Sequence, residues 1–172
     1  MNIYYIDIEE FKKNHADDFF YQYSDREFKN DKRFYEYTTG RYLVKNAAKK
    51  IYKIDNPEII INESGKPVLK NSELNFSLSH SHNYVLACFD SYKCGIDIEL
   101  IKNRNLGRFA KYYKKNYEDI LDFYRDWTFK EASYKLGAEI KDSYAVIFKN
   151  NYYLTVVSEK VFDKNIEIIH FE

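Results

Sequence analysis

Two clusters of ionisable residues, about thirty positions apart, hold the chemistry available to this chain. The first is Gly95-Ile96-Asp97-Ile98-Glu99, in which acids alternate with isoleucines. On a strand, successive side chains point to opposite faces, so Asp97 and Glu99 share one face and Ile96 and Ile98 the other. The second is Trp127-Thr128-Phe129-Lys130-Glu131-Ala132-Ser133-Tyr134-Lys135. Trp127, Glu131 and Lys135 recur every four residues, which stacks them along one stripe of a helix. If that stripe faces the acidic face of the strand, three carboxylates and an ammonium converge. Carboxylate oxygens are the hard ligands that Mg²⁺ takes, with Mn²⁺ as a substitute, and an ammonium complements the oxygens of a polyphosphate.

Each part alone has an ordinary explanation. An alternating strand with one wet face yields an Asp-x-Glu pair, and Glu131 with Lys135 is an i,i+4 pair of the kind found on many helix surfaces. Against a surface pair stands the apolar, aromatic character of the segment around it. Glycine at position 95 permits the close approach of another backbone or of a ligand. A third segment, Asn75-Phe76-Ser77-Leu78-Ser79-His80-Ser81-His82, brings hydroxyls and imidazoles to a strand end, where they can donate to phosphate oxygens or simply cap a loop. No serine–histidine relay follows, because a serine adjacent to a histidine in sequence is not placed to be activated by it. Gly65-Lys66-Pro67 reads as a plain turn or as a device holding Lys66 over a nucleotide.

The elements that must position these residues fit one domain or two small halves in 172 residues. Apolar residues make up 45% and aromatic ones 19%, so the core is built largely of Tyr and Phe. Five Gly and two Pro leave little chain for linkers. Lys plus Arg balance Asp plus Glu at 27 each, which argues against a nucleic-acid binder. The start of the chain lacks a basic and an apolar signal region and no run reaches membrane-spanning length, so a cytoplasmic protein with no membrane partner is expected. Cys88 and Cys94 read as reduced, packed thiols.

Residues 2–8 alternate like a strand. A helical stretch follows from Glu9 to Ile51, with breaks near Ser24-Asp25 and Asn30-Asp31. Strands are expected at 58–62, 75–79, 83–90 and 94–99, with a turn at Ser64–Pro67. A second helical block spans Leu106 to Leu136; its best segment starts near Glu118 and carries Ile120, Leu121, Phe123, Tyr124 and Trp127 as a buried stripe. Strands at 144–149, 151–157 and 166–171 complete the chain. The architecture is α+β: two similar halves, 1–92 and 93–172, each a small, mainly antiparallel sheet packed against helices, with the active site at their interface.

Taken in order, Ser-Gly-Lys-Pro, Phe-Ser-Leu-Ser-His-Ser, Gly-Ile-Asp-Ile-Glu and Trp-x-x-Lys-Glu-Ala-x-x-Lys resemble the motifs of the Sfp-like, single-chain 4′-phosphopantetheinyl transferases over roughly residues 26–172. Departures are Ser77, where the family usually has Asn, and Gly137-Ala138-Glu139-Ile140, where it has a Gly-x-Gly-Leu-like stretch. Arg33 and Arg41 are candidates for the arginine that the family places near a phosphate. Relatives usually carry one more apolar strand after Phe171-Glu172, so the second sheet is expected to lack its final strand.

The resemblance implies transfer of the phosphopantetheine arm of coenzyme A to a serine of an acyl or peptidyl carrier protein, with release of 3′,5′-ADP. Asp97 and Glu99 are then the Mg²⁺ ligands, Glu131 a third ligand or the base, and Lys135 the cation on the pyrophosphate. Lys66, Ser79 and His80 bind the nucleotide end, which assigns 1–92 to the nucleotide and 93–172 to metal and catalysis. Trp127 packs beneath the site, and Lys130 either touches coenzyme A or is solvated. The carrier docks beside the metal, and Lys111, Lys114 and Lys115 with Tyr112 and Tyr113 form a candidate patch. A monomer is expected. Two alternatives are a coenzyme A- or carrier-binding relic without catalysis, and a metal-dependent nuclease. The nuclease is disfavoured by Leu100 and Ile101, which follow Glu99 where such enzymes place a lysine.

Overall fold

The alternating start becomes the first strand of a computed structural model that describes residues 1–172. Along the chain run β1 (Asn2–Asp7), α1 (Ile8–Lys13), α2 (Asp17–Tyr21), α3 (Asp31–Lys50), β2 (Ile59–Ile61), β3 (Pro67–Leu69), β4 (Asn75–Ser81), β5 (Tyr84–Asp90) and β6 (Cys94–Leu100). Then come α4 (Leu106–Tyr113), α5 (Ile120–Leu136), β7 (Asp142–Phe148), β8 (Tyr152–Ser158) and β9 (Ile168–His170). The expected α+β class holds, with small sheets packed against a few helices.

The first sheet has the order β4-β5-β1-β9 and the second β6-β8-β7; β2 and β3 make a separate hairpin. Strand alternation assigns the faces. Tyr4, Ile6, Val85, Ala87, Phe89 and Phe76 share a core with Leu43, Val44, Ala47 and Ala48 of α3. From the opposite face of the same strands, Ile3, Leu86 and Cys88 meet Ile96, Ile98, Leu154 and Val156 of the second sheet. Ala132 and Leu136 of α5 cover Val157 on the far side of that sheet. The layers are therefore helix α3, first sheet, second sheet, helix α5. Cys88 and Cys94 are buried free thiols in the layer between the sheets.

The last strand does not extend the second sheet. β9 runs parallel to β1, pairing Ile3 with Ile168 and Tyr5 with His170. Phe171 explains this return: its backbone N–H donates to the Tyr5 carbonyl (2.9 Å), and its ring packs edge-on against Tyr4 in the first core. Leu121, expected in the buried stripe, is 43% exposed. At about 100° per residue, Ile120, Phe123, Tyr124 and Trp127 fall within one arc of α5 and Leu121 outside it. No helix is long and apolar enough to cross a membrane.

Candidate active site

Gly95 brings β6 and α5 together. A Cβ at this position would stand 2.0 Å from the Ala132 carbonyl oxygen and 2.9 Å from the Leu136 nitrogen, both backbone atoms of α5. Only a residue without a side chain lets the helix sit down on the strand here. Asp97 and Glu99 lie on the same face of β6 as Gly95, so α5 crosses above them with the stripe of Trp127, Glu131 and Lys135.

Asp97 is 5% exposed. Its Oδ1 accepts from Lys135 Nζ at 2.7 Å and from the Ser79 hydroxyl at 2.9 Å. Lys135 Nζ also donates to the Ile96 carbonyl and to Ser79 Oγ, each at 3.0 Å. The ammonium is thus fixed by three acceptors while its side chain stays 27% exposed. Burial and the neighbouring Asp97 charge push the Glu99 carboxyl above its ordinary pKa, while Ser81, Trp127 and Arg104 oppose the rise. Glu131 lies between Trp127 and Lys135 on the stripe, and its charge is felt by the Tyr113 phenol of α4.

Asp97, Glu99 and Glu131 do not close into a preformed ion-binding group. Like charges repel, and Lys135 already neutralises Asp97. The donor set nevertheless suits a divalent cation. Asp97 Oδ2 is buried without a hydrogen-bond partner, a costly arrangement that a cation would relieve, and hard carboxylate oxygens are what Mg²⁺ takes.

Lys135 also lines the largest cleft, about 860 Å³, which lies between the β2–β3 hairpin and the C-terminal end of α5. Lys66 and Lys93 line it too, and no acidic residue does. Lys66 is held by a turn in which Asn62 Oδ1 accepts the backbone N–H groups of Ser64 (3.1 Å) and Lys66 (2.9 Å), with Gly65 at φ +79°. Its ammonium crosses to the Cys94 carbonyl (3.3 Å), and burial lowers its pKa. The structure therefore brings Lys66, from the turn before β3, and Lys135, from α5, to one cleft.

Ser79 and His80 are placed differently. Ser79 is 4% exposed and spends its hydroxyl on Asp97, Lys135 and the Ile98 N–H, so it faces the carboxylate and not the cleft. His80 points to the other side of β4, where its Nδ1 lies 3.5 Å from Glu36 Oε2 of α3. Glu36 is buried and also meets Lys32 at 3.6 Å. Sequence reasoning missed it; an acid one helical turn before Gly40 was the available signal, and a Cβ on Gly40 would stand 2.7 Å from the Leu78 side chain of β4. Arg41 pairs with Asp25 at 3.2 Å, and Arg33 is exposed on α3.

Trp127 is half-buried beside Glu99. Lys130 neither enters the cleft nor stands free: it pairs with Asp126 at 2.7 Å and lies 4.9 Å above the Tyr113 ring. Lys115 of the proposed docking patch also pairs with Asp126, at 2.6 Å. Tyr112 and Lys111 remain exposed on α4. Tyr124 is a further unforeseen contributor: its hydroxyl accepts the Lys102 N–H and Arg104 Nε, both at 3.1 Å, and ties the segment after β6 to α5.

No family model matches the chain. It is 32% identical over 109 residues to the 4′-phosphopantetheinyl transferase ffp of Bacillus subtilis, covering 56% of this chain and 49% of that protein. The same identity and coverage hold for the 4′-phosphopantetheinyl transferase Sfp of Bacillus subtilis strain 168. Identity to the 4′-phosphopantetheinyl transferase psf-1 of Bacillus pumilus is 31% over 110 residues, 56% of this chain and 47% of that protein. The chain spans about half the length of the curated relatives it matches.

Proposed function

We propose that this chain, similar over about half its length to Sfp-type 4′-phosphopantetheinyl transferases, moves the phosphopantetheine arm of coenzyme A to a serine of an acyl or peptidyl carrier protein and releases 3′,5′-ADP. The observation that carries this reading is the Lys135 ammonium, fixed on Asp97 and Ser79 at the edge of a cleft lined by three lysines and no acid. Such a cleft suits a polyanion, and a cation that is already oriented stabilises charge developing on a leaving pyrophosphate oxygen without reorganising.

In this mechanism Lys66 and Lys135 bind the phosphates from opposite walls. Glu131, one turn before Lys135 and outside the Asp97–Ser79 network, accepts the proton of the incoming serine hydroxyl. Asp97 and Glu99, with Glu131 able to join them, would hold Mg²⁺. Such an ion would supply neutralisation of pyrophosphate charge. His80, supported by Glu36, serves the nucleotide end from the α3 side. The relatives offer no support for the relic or the nuclease.

Chromatography of coenzyme A mixtures tests the reading. With Mg²⁺ and an apo-carrier, the protein is expected to convert coenzyme A to 3′,5′-ADP in step with carrier consumed. Coenzyme A that stays intact, with several acyl and peptidyl carriers supplied, would refute it.

A further inference from the structure

The strands β4 and β6 lie side by side without a backbone ladder, and serine hydroxyls take its place. Ser77, Ser79 and Ser81 of β4 accept the backbone N–H groups of Ile96 (3.2 Å), Ile98 (3.3 Å) and Leu100 (3.0 Å). The offset of 19 residues repeats at each step, so the strands run parallel, with one serine for each of the Ile96, Ile98 and Leu100 N–H groups.

A hydroxyl that accepts an N–H still has its own proton to donate. Ser79 gives it to Asp97 Oδ1 at 2.9 Å, and Ser81 gives it to Glu99 Oε2 at 3.2 Å. The corresponding β6 neighbour of Ser77 is Gly95, which offers no carboxylate. The same stitch therefore occurs three times, twice with an acid attached and once without. At Asp97 it leaves Oδ1 occupied by Ser79 and Lys135 and leaves Oδ2 unpartnered.

We infer that Ser79 and Ser81 are positioning residues by which the first half of the chain orients the Asp97 and Glu99 carboxylates of the second half toward the divalent cation. The inference rests on the function proposed above. It separates these serines from nucleotide binding: they act through the acids, and Ser77 is the natural control, with the same backbone bond and no acid.

Ser77→Ala, Ser79→Ala, Ser81→Ala and Ser81→Thr variants would be compared with the unaltered protein. Thermal melts with coenzyme A across a MgCl₂ series, and carrier transfer over the same series, supply the readouts. Ser79→Ala and Ser81→Ala are expected to raise the Mg²⁺ concentration for half-maximal thermal shift and half-maximal rate about 10-fold or more, with the KM for coenzyme A near normal. Ser81→Thr, which keeps the hydroxyl, is expected to return the midpoint toward the starting value. Ser77→Ala is expected to lower Tm at every Mg²⁺ concentration and leave the midpoint in place. Ser81 is only partly buried, so its pair of variants decides the matter if Ser79→Ala does not fold. Unaltered protein that transfers while Ser81→Ala keeps its Mg²⁺ midpoint, or a midpoint displaced equally by Ser77→Ala, would overturn the inference alone. Unaltered protein with neither transfer nor a Mg²⁺-dependent shift would overturn the proposed function and this inference with it.

Discussion

Lys135 Nζ lies 2.7 Å from Asp97 Oδ1, joining the last turn of α5 to the middle of β6 across 38 residues of sequence. The pair is shielded on the Asp97 side and open on the Lys135 side, with side-chain exposures of 7% and 27%. Removing one partner leaves a buried charge uncompensated, whereas removing both does not. Lys135→Met is accordingly expected to lower stability by about 3 kcal/mol, and the Lys135→Met/Asp97→Asn double variant to recover part of that loss. Both should lack transfer. Denaturant melts of the two single variants and the double variant test the coupling; additive losses would contradict it.

Gly95 sets the distance between the acids and the helix above them. Gly95→Ala forces a methyl against the Ala132 carbonyl, 2.0 Å away, and helix backbone cannot yield as a side chain tip does. A destabilisation of at least about 2 kcal/mol is expected, with transfer reduced more than the folded fraction. Circular dichroism melts beside transfer rates check this. A variant as stable and active as its parent would show that the backbones do not meet here.

Several of these relationships were legible in the sequence because they are local. The alternation of residues 94–99 and the four-residue recurrence of Trp127, Glu131 and Lys135 follow from strand and helix geometry alone. Gly95 advertised a close approach, which turned out to be to α5. What was not legible depends on pairings distant in sequence. Ser79 reads as a phosphate donor until β6 is placed beside it, and β3 is too short, at three residues, to stand out from the turn before it. The final strand reads as part of the second half, and only the packing of Phe171 on Tyr4 sends it to the first sheet. The lysines at 115 and 130 read as free until Asp126 is found between them.

Asp126 predicts a pH dependence. Burial raises its pKa, but hydrogen bonds from Lys115, Lys130 and Tyr117 outweigh this and hold it down at about 2. A folded-state value below the ordinary aspartate value means that its stabilisation is complete above about pH 4 and is lost as pH falls through about 2. Asp126→Asn should melt lower than its parent at pH 6, by an amount equivalent to at most about 2 kcal/mol, with the gap closing toward pH 2. A gap that stays constant across this range would remove the ionic contribution.

Lys66 reaches the cleft from the first half, so Lys66→Ala should weaken coenzyme A by about 1.5–3 kcal/mol, the worth of one charge-assisted hydrogen bond. If it binds the 3′-phosphate, 3′-dephospho-coenzyme A should lose much less. Calorimetric titration with both ligands decides, and equal losses would move Lys66 to the pyrophosphate.

Intact mass of an apo-carrier incubated with coenzyme A and Mg²⁺, using either the unaltered protein or Glu131→Gln, tests the central claim most directly. Glu131 keeps its shape in this substitution and loses its capacity to take a proton. The account predicts that the unaltered protein adds one phosphopantetheine arm to the carrier. It predicts that Glu131→Gln binds coenzyme A with near-normal affinity yet leaves the carrier mass unchanged over the same interval. A carrier left unmodified by the unaltered protein, or modified at a normal rate by Glu131→Gln, would contradict it.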